Sequence, residues 1–130
     1  MTEYLSVRQV LRIHALQIEV FGGSAGVRDR GALEAAIARP QMTFDGEDLY
    51  RDLADKAAAL LHSLVQNHPF IDGNKRVGAM AMELFVVANE HDLRARGDEL
   101  AALVLAVARG ELAAEALAIW IRQRLRTVAP

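Results

Sequence analysis

Residues 67–76 read NHPFIDGNKR and gather an imidazole, a carboxylate, two carboxamides and two cations around one proline and one glycine. His68, with an ordinary pKa of about 6.5, can take a proton from a hydroxyl near neutral pH. General-base help of that kind is worth roughly 10²- to 10⁴-fold in rate. Gly73 permits a positive φ, and Asn74 is expected to cap a helix beginning near Lys75. The amides of Gly73, Asn74, Lys75 and Arg76 then face outward at a helix N-terminus, which suits an anion, and Lys75 and Arg76 add two full charges. Asp72 opposes such a site, because a carboxylate about 4 Å from a phosphate repels it by roughly 4 kcal/mol at an effective dielectric of 20. A divalent cation reverses the sign. Magnesium typically takes one or two carboxylates with phosphate oxygens and water, so Asp72 and a nucleotide phosphate complete a set. With charge on the transferring group held by Lys75, Arg76 and the amides, the pieces amount to a transferase site.

A plain helix–loop–helix turn also favours Pro69, Asp72, Gly73 and Asn74, with Lys75 and Arg76 solvated. Taken singly, each residue fits that reading better; all of them together with His68 favour chemistry. A Walker A loop is excluded, since the second glycine, the Ser or Thr after the lysine and the preceding strand are missing. His14 and His62 fall within helices, where packing or capping is the usual role, and His91 falls in a turn. No two of the four histidines have the i, i+4 spacing of a helical zinc pair.

The elements that must position this stretch are helices. Ser6 and Gln9 form a capping box for a first helix over about Val7 to Phe21, ended by Gly22 and Gly23. Asp29 is the N-cap of a short second helix that Pro40 ends. QMTFDGED, 41–48, reads as an exposed loop or small hairpin, a candidate flap. Apolar spacing from Leu49 to about Gln66 predicts a long amphipathic helix, and Pro69 is expected to end it near Asn67 and hold His68 extended. Phe70 and Ile71 are candidate apolar anchors. VGAMAMELFVVAN, 77–89, is apolar on nearly every face and predicts a helix surrounded by others, with Glu83 at the core edge or paired with an arginine and Asn89 as a left-handed cap. Asp98 is expected to cap a helix reaching about Arg109, Gly110 to break it, and 111–125 to form a last helix with Trp120 in the core. There is no repeat, no low-complexity tract, no linker and no useful alternating pattern, so the fold class is all-α.

Length and composition agree with one domain over 1–130, a compact helical bundle with a single core. A net charge of −2 gives no field that would draw nucleic acid or anionic lipid, so phosphate affinity must be local. Cysteine is absent, which removes disulfides and thiolate chemistry and fits a reducing compartment. The N-terminus has no signal-peptide core, and the longest wholly apolar run, Ala101 to Ala108, is far below the ~18 residues of a membrane span. The expected setting is the cytoplasm.

HPFIDGNKR resembles the signature of the Fic/Doc family, His-x-Phe-x-acid-Gly/Ala-Asn-Gly/Lys-Arg, and in particular its Doc (death-on-curing) branch, where lysine stands in place of glycine. The segments at 21–41, 53–67 and 84–89 are similar to Doc proteins in the same order, and the last 30 residues carry least of the likeness. The resemblance implies a helical bundle with the signature loop, 68–76, between two central helices, and the toxin half of a bacterial toxin–antitoxin pair. Doc-like toxins use ATP to phosphorylate a threonine of elongation factor Tu and halt translation; Fic enzymes transfer the nucleotidyl group instead. By the same resemblance, His68 is the base, Asp72 the Mg2+ ligand and Phe70 the loop anchor. Asn74, Lys75 and Arg76, with the amide of Gly73, hold the phosphates, and the flap 41–48 aligns the target chain. Lys75 in place of glycine favours phosphoryl over nucleotidyl transfer. Thr43 and Glu47 have the spacing of the inhibitory Ser/Thr-x-x-x-Glu pattern, but Asp48 follows where Gly or Asn belongs, so inhibition is expected in trans, from a Phd-like antitoxin whose tail folds on binding. A non-catalytic nucleotide- or antitoxin-binding module is the alternative from a different class.

Overall fold

The structure, a computed structural model, describes residues 1–128; the expected domain span of 1–130 therefore includes two positions outside the described residues. Six α-helices form the body: α1 Val7–Phe21, α2 Arg30–Ala38, α3 Leu53–Gln66, α4 Asn74–Ala88, α5 Gly97–Ala108 and α6 Ala114–Arg124. A 3-10 turn, Arg39–Gln41, follows α2, and two small antiparallel pairs complete the described elements: β1 Thr43–Phe44 with β2 Glu47–Asp48, and β3 His91–Leu93 with β4 Leu125–Thr127. The fold is an all-α bundle. Among the described residues, no helix is long and apolar enough to cross a membrane.

The ends of α1 and α2 follow from their caps. Ser6 Oγ accepts from the amide of Gln9 at 3.2 Å while Gln9 Oε1 accepts from the amide of Ser6 at 2.8 Å, closing the capping box. Asp29 Oδ1 accepts from the amide of Ala32 at 3.0 Å. Helix α3 occupies the middle of the bundle, with α2, α4, α5 and α6 around it. Its buried residues include Ala54, Ala57, Ala58, Leu60, Leu61, Leu64 and Val65, and the small ones let neighbouring helices approach closely. At Gly78 of α4 an added Cβ would lie 2.7 Å from Val65 Cγ2 and 3.2 Å from Leu61 Cδ1. The two helices that flank the motif loop thus meet on bare backbone. Val77, Met82 and Phe85 from α4, Leu117 and Ile121 from α6 and Val10 from α1 fill the rest of the core.

Several expected boundaries shift, each for a local reason. Helix α3 begins at Leu53 instead of Leu49, because the Asp52 carboxylate caps it through the amide of Asp55 at 2.8 Å and is itself clasped by Arg122 at 2.8 and 3.1 Å. Helix α5 starts at Gly97, with Arg96 as N-cap; Asp98 lies inside the first turn, where it suits the helix dipole. Asn89 is not left-handed, having φ −105°; the positive φ falls on Glu90, and the Asn89 side chain instead ties Glu3 and Phe85 backbone. The last helix covers 114–124, and Leu125 leaves it to pair with Leu93. Helix α4 is not enclosed on all sides, since Met80, Leu84 and Val87 form an exposed stripe. Glu83 is half-buried and burial, with Asp92 nearby, raises its pKa. Trp120 packs at the core edge beneath the Arg124 guanidinium, 4.1 Å from its ring centre.

Candidate active site

The motif loop leaves α3 through Asn67 and enters α4 at Asn74. His68 is exposed and has φ +48°, so the extended conformation expected from the following proline is not the one adopted. Proline disfavours the right-handed region for the preceding residue, and tertiary bonds select the left-handed one. Arg28 Nε donates to the carbonyl of His68 at 2.6 Å and its Nη2 to that of Asn67 at 2.9 Å. The amides of Arg28 and Asp29 both donate to the carbonyl of Pro69, at 2.8 and 3.1 Å. A left-handed non-glycine residue costs roughly 1–2 kcal/mol, which these charged and backbone bonds offset.

The same α1–α2 connection runs antiparallel to the rest of the loop. Val27 pairs with Phe70, and the amide of Ile71 donates to the carbonyl of Gly26 at 3.1 Å. Phe70 is the anchor the sequence suggests, 1 % exposed; Ile71 is not, being exposed against Gly26. The ring of Phe70 stacks on buried His14, centroids 3.9 Å apart and planes 8° from parallel, and His14 Nε2 donates to the carbonyl of Asp72 at 2.9 Å. Asn74 does not cap α4 with its side chain. Its Oδ1 accepts from the amide of Phe70 and its Nδ2 donates to the carbonyl of Phe70, both at 2.9 Å, so the carboxamide closes the loop on itself. Gly73 takes the N-cap position with φ +80°. Helical bonding resumes at Val77, whose amide donates to the carbonyl of Gly73, so the amides of Asn74, Lys75 and Arg76 precede it.

Asp72, Gly73 and Arg76 come together. With Phe21, Gly22 and Gly23 they line a cleft of about 240 Å³ at the end of α1. Asp72 Oδ2 accepts from the amide of Ser24 at 3.1 Å and Oδ1 from that of Gly73 at 2.8 Å. Those two amides, in that order, hold its pKa below the ordinary carboxylate value, and Arg76 and His14 add to the effect. The guanidinium of Arg76 lies 4.4 Å from the centre of the exposed Phe21 ring. Gly23 has φ +112°, and a Cβ there would fall 2.6 Å from Asp72 Oδ2; only glycine leaves the carboxylate where it is. An ionised carboxylate with lone pairs to spare beside helix amides fits magnesium bound together with phosphate oxygens and water. Among the described residues, no group of three or more His, Asp or Glu side chains is placed to hold a metal ion by itself.

Lys75 and His68 stand apart from that cleft. Lys75, with Arg76, borders an apolar groove of about 390 Å³ floored by Ala79, Leu100 and Val104. His68 lines neither cavity and sits at the other end of the loop. The flap is a hairpin, closed by the amide of Leu49 donating to the carbonyl of Met42 at 2.8 Å, and Thr43 and Glu47 sit on its two strands and not on a helix. Lys56 of α3, 3 % exposed, anchors it through Asp48 at 3.3 Å and the carbonyls of Tyr50 and Arg51. His14, Gly23, Ser24, Arg28 and Lys56 all shape the site and were not singled out for it by sequence. Only His14 left a sign, a histidine on the buried face with Val10, Ile13 and Gln17.

The Fic/DOC family model matches residues 4–86. The chain is 49 % identical over 98 residues to Toxin Doc of Mycolicibacterium smegmatis, covering 75 % of this chain and 73 % of that protein. It is 30 % identical over 120 residues to Protein kinase doc of Escherichia phage P1, covering 92 % of this chain and 94 % of that protein. With the signature loop seated between α3 and α4 inside the matched region, the chain belongs to the Fic/DOC family, on its Doc branch.

Proposed function

We propose that this protein is the toxin of a toxin–antitoxin pair and that it transfers the γ-phosphoryl group of ATP to a hydroxyl of a translation protein such as elongation factor Tu. The names of its relatives, one a toxin and one a protein kinase, support the class. The observation that carries the chemistry is the division of the loop into an exposed, pinned His68 at one end and the Asp72–Gly73–Arg76 cleft at the other. In the reaction, the target oxygen attacks the γ-phosphorus, the bond to the β,γ-bridging oxygen breaks, ADP leaves and the hydroxyl proton passes to His68. Arg76 and the amides of Asn74, Lys75 and Arg76 bind the phosphates, while the amide of Gly73 is engaged by Asp72 Oδ1; Asp72 would hold magnesium, which supplies charge neutralisation when bound. The flap aligns the target chain. An antitoxin segment that folds on binding is matched by the exposed apolar face of Leu16, Val20, Leu84 and Val87 on α1 and α4. The setting is the cytoplasm.

A second reading, nucleotidyl transfer, is favoured by one feature: Lys75 borders the α5 groove and does not line the Asp72 cleft. Incubation with ATP, magnesium and elongation factor Tu followed by intact mass separates the readings. An added phosphate supports the first, an added nucleotide the second, and an unmodified target opposes both. His68→Ala should abolish transfer while sparing nucleotide binding; activity retained in that variant removes His68 from its role.

A further inference from the structure

The last turn of α3 carries no basic side chain of its own, yet the final carbonyls of a helix lack helical partners and lie at the negative end of its dipole. Asn67 ends the helix in right-handed geometry, with φ −79°, and His68 follows in the left-handed position that glycine usually fills after a helix. Two local rules oppose that conformation: a side chain disfavours it, and the proline that follows favours an extended backbone. The base of the proposed reaction thus stands on a residue whose backbone has to be held from outside.

One residue does the holding. The Nε and Nη2 edge of Arg28 spans the carbonyls of His68 and Asn67 while the Arg28 amide donates to that of Pro69, so three successive carbonyls converge on it. A planar fork reaches two acceptors at once; an ammonium does not. Arg28 is itself fixed by its neighbours, through the pairing of Val27 with Phe70 and through Asp29, whose amide bonds Pro69 and whose carboxylate caps α2. Although Arg28 is exposed, its guanidinium is delivered from a bonded segment. Turning His68 from φ +48° to the ordinary pre-proline value is a rotation of roughly 170° about N–Cα. The imidazole would then leave the chain on a different side. A general base must come within about 2.6–3.2 Å of the hydroxyl oxygen, so this one angle decides whether His68 reaches it.

We infer that Arg28 is a positioning residue for the reaction: its fork on the carbonyls of Asn67 and His68 holds the left-handed turn that aims the imidazole at the target hydroxyl. The inference rests on the hydroxyl-transfer reading above. The full chain is compared with Arg28→Ala and Arg28→Lys, using magnesium-ATP and the lysate protein that the wild-type chain modifies, identified by mass. Arg28→Ala should lower kcat by about 10²-fold, the cost of a small misplacement of a reacting group, while nucleotide affinity by calorimetry stays within about twofold, because the Asp72 cleft lies at the other end of the loop. Free guanidinium at millimolar concentration should restore part of the rate, and methylammonium should not. Arg28→Lys keeps the charge at the end of α3 and loses the fork, so it should fold as wild type does and lose rate to a lesser degree; it carries the test if Arg28→Ala does not fold. The conformation is read without substrate, from the strong NOE between the amide and α protons of His68 that a positive φ produces. That NOE should weaken in both variants. A modified target with kcat unchanged in Arg28→Lys, or with nucleotide affinity lost in parallel with kcat, or a His68 NOE as strong in the variants as in wild type, overturns the role of Arg28 alone. If the wild-type chain modifies nothing, the transfer reading falls and the positioning role with it, whatever the NOE shows.

Discussion

His14 and Phe70 lie ring against ring, 3.9 Å between centroids, and the outer nitrogen of that same imidazole holds the backbone of Asp72. Helix α1 therefore sets the position of the loop from below, through one side chain that packs and bonds at once.

Replacing His14 with Phe keeps the stack and removes the bond. The expected loss is about 1 kcal/mol in urea unfolding, with weaker nucleotide binding by calorimetry because Asp72 and Gly73 lose their support. Unchanged nucleotide affinity in His14→Phe would detach α1 from the site.

Gly23→Ala tests the close approach over the carboxylate. Its Cβ has no room at 2.6 Å from Asp72 Oδ2, and φ +112° disfavours any side chain. Magnesium-dependent nucleotide binding should fall by about tenfold or more, while Gly22→Ala, with open space around its Cβ position, controls for backbone strain alone. Equal effects in the two variants would mean that contact with Asp72 does not matter.

Lys56→Met removes the buried ammonium and keeps the stem volume. Amide hydrogen exchange over 42–51 should quicken while α3 and α4 stay protected, and Asp48→Asn should show a milder form of the same change, because that partner is half exposed. A flap that exchanges as slowly in both variants as in wild type would assign its order to the hairpin turn instead.

Asp52 gives a pH signature. Its bond to Arg122 is the main cause that lowers its pKa from 3.8 to about 2. Because the folded-state value is depressed, the stabilisation is complete above the unfolded value near 4 and disappears as pH falls through about 2. Both partners are about half exposed, so solvent screening limits the effect to about 0.5–1 kcal/mol. Urea unfolding at pH 5 and pH 2.5 should show the loss, and Asp52→Asn, which retains a capping side chain, should show less of it.

What sequence revealed and what it hid divide along one physical line. Ser6 with Gln9, Asp29 and Gly73 act within one turn of chain, and the elements they start or break appear where local rules put them. Asn74 misleads because the same carboxamide that caps helices also bonds a backbone four residues back, and burial of Phe70 made that choice. The left-handed His68 depends on Arg28, forty residues earlier, and no spacing rule connects them. The cap at Asp52 is hidden in the sequence because Leu49 continues an apolar rhythm that the Arg122 clasp cuts short. Residue types suggest the proposed chemistry; the contacts that position those residues are tertiary.

The pairing of 26–29 with 67–71 bears on transplantation. A graft of the signature nonapeptide alone into another helical scaffold would arrive without the strand that splints it, and its imidazole would relax toward the ordinary pre-proline geometry. The portable unit is two chain segments, and variation in one is expected to be inherited with compensation in the other.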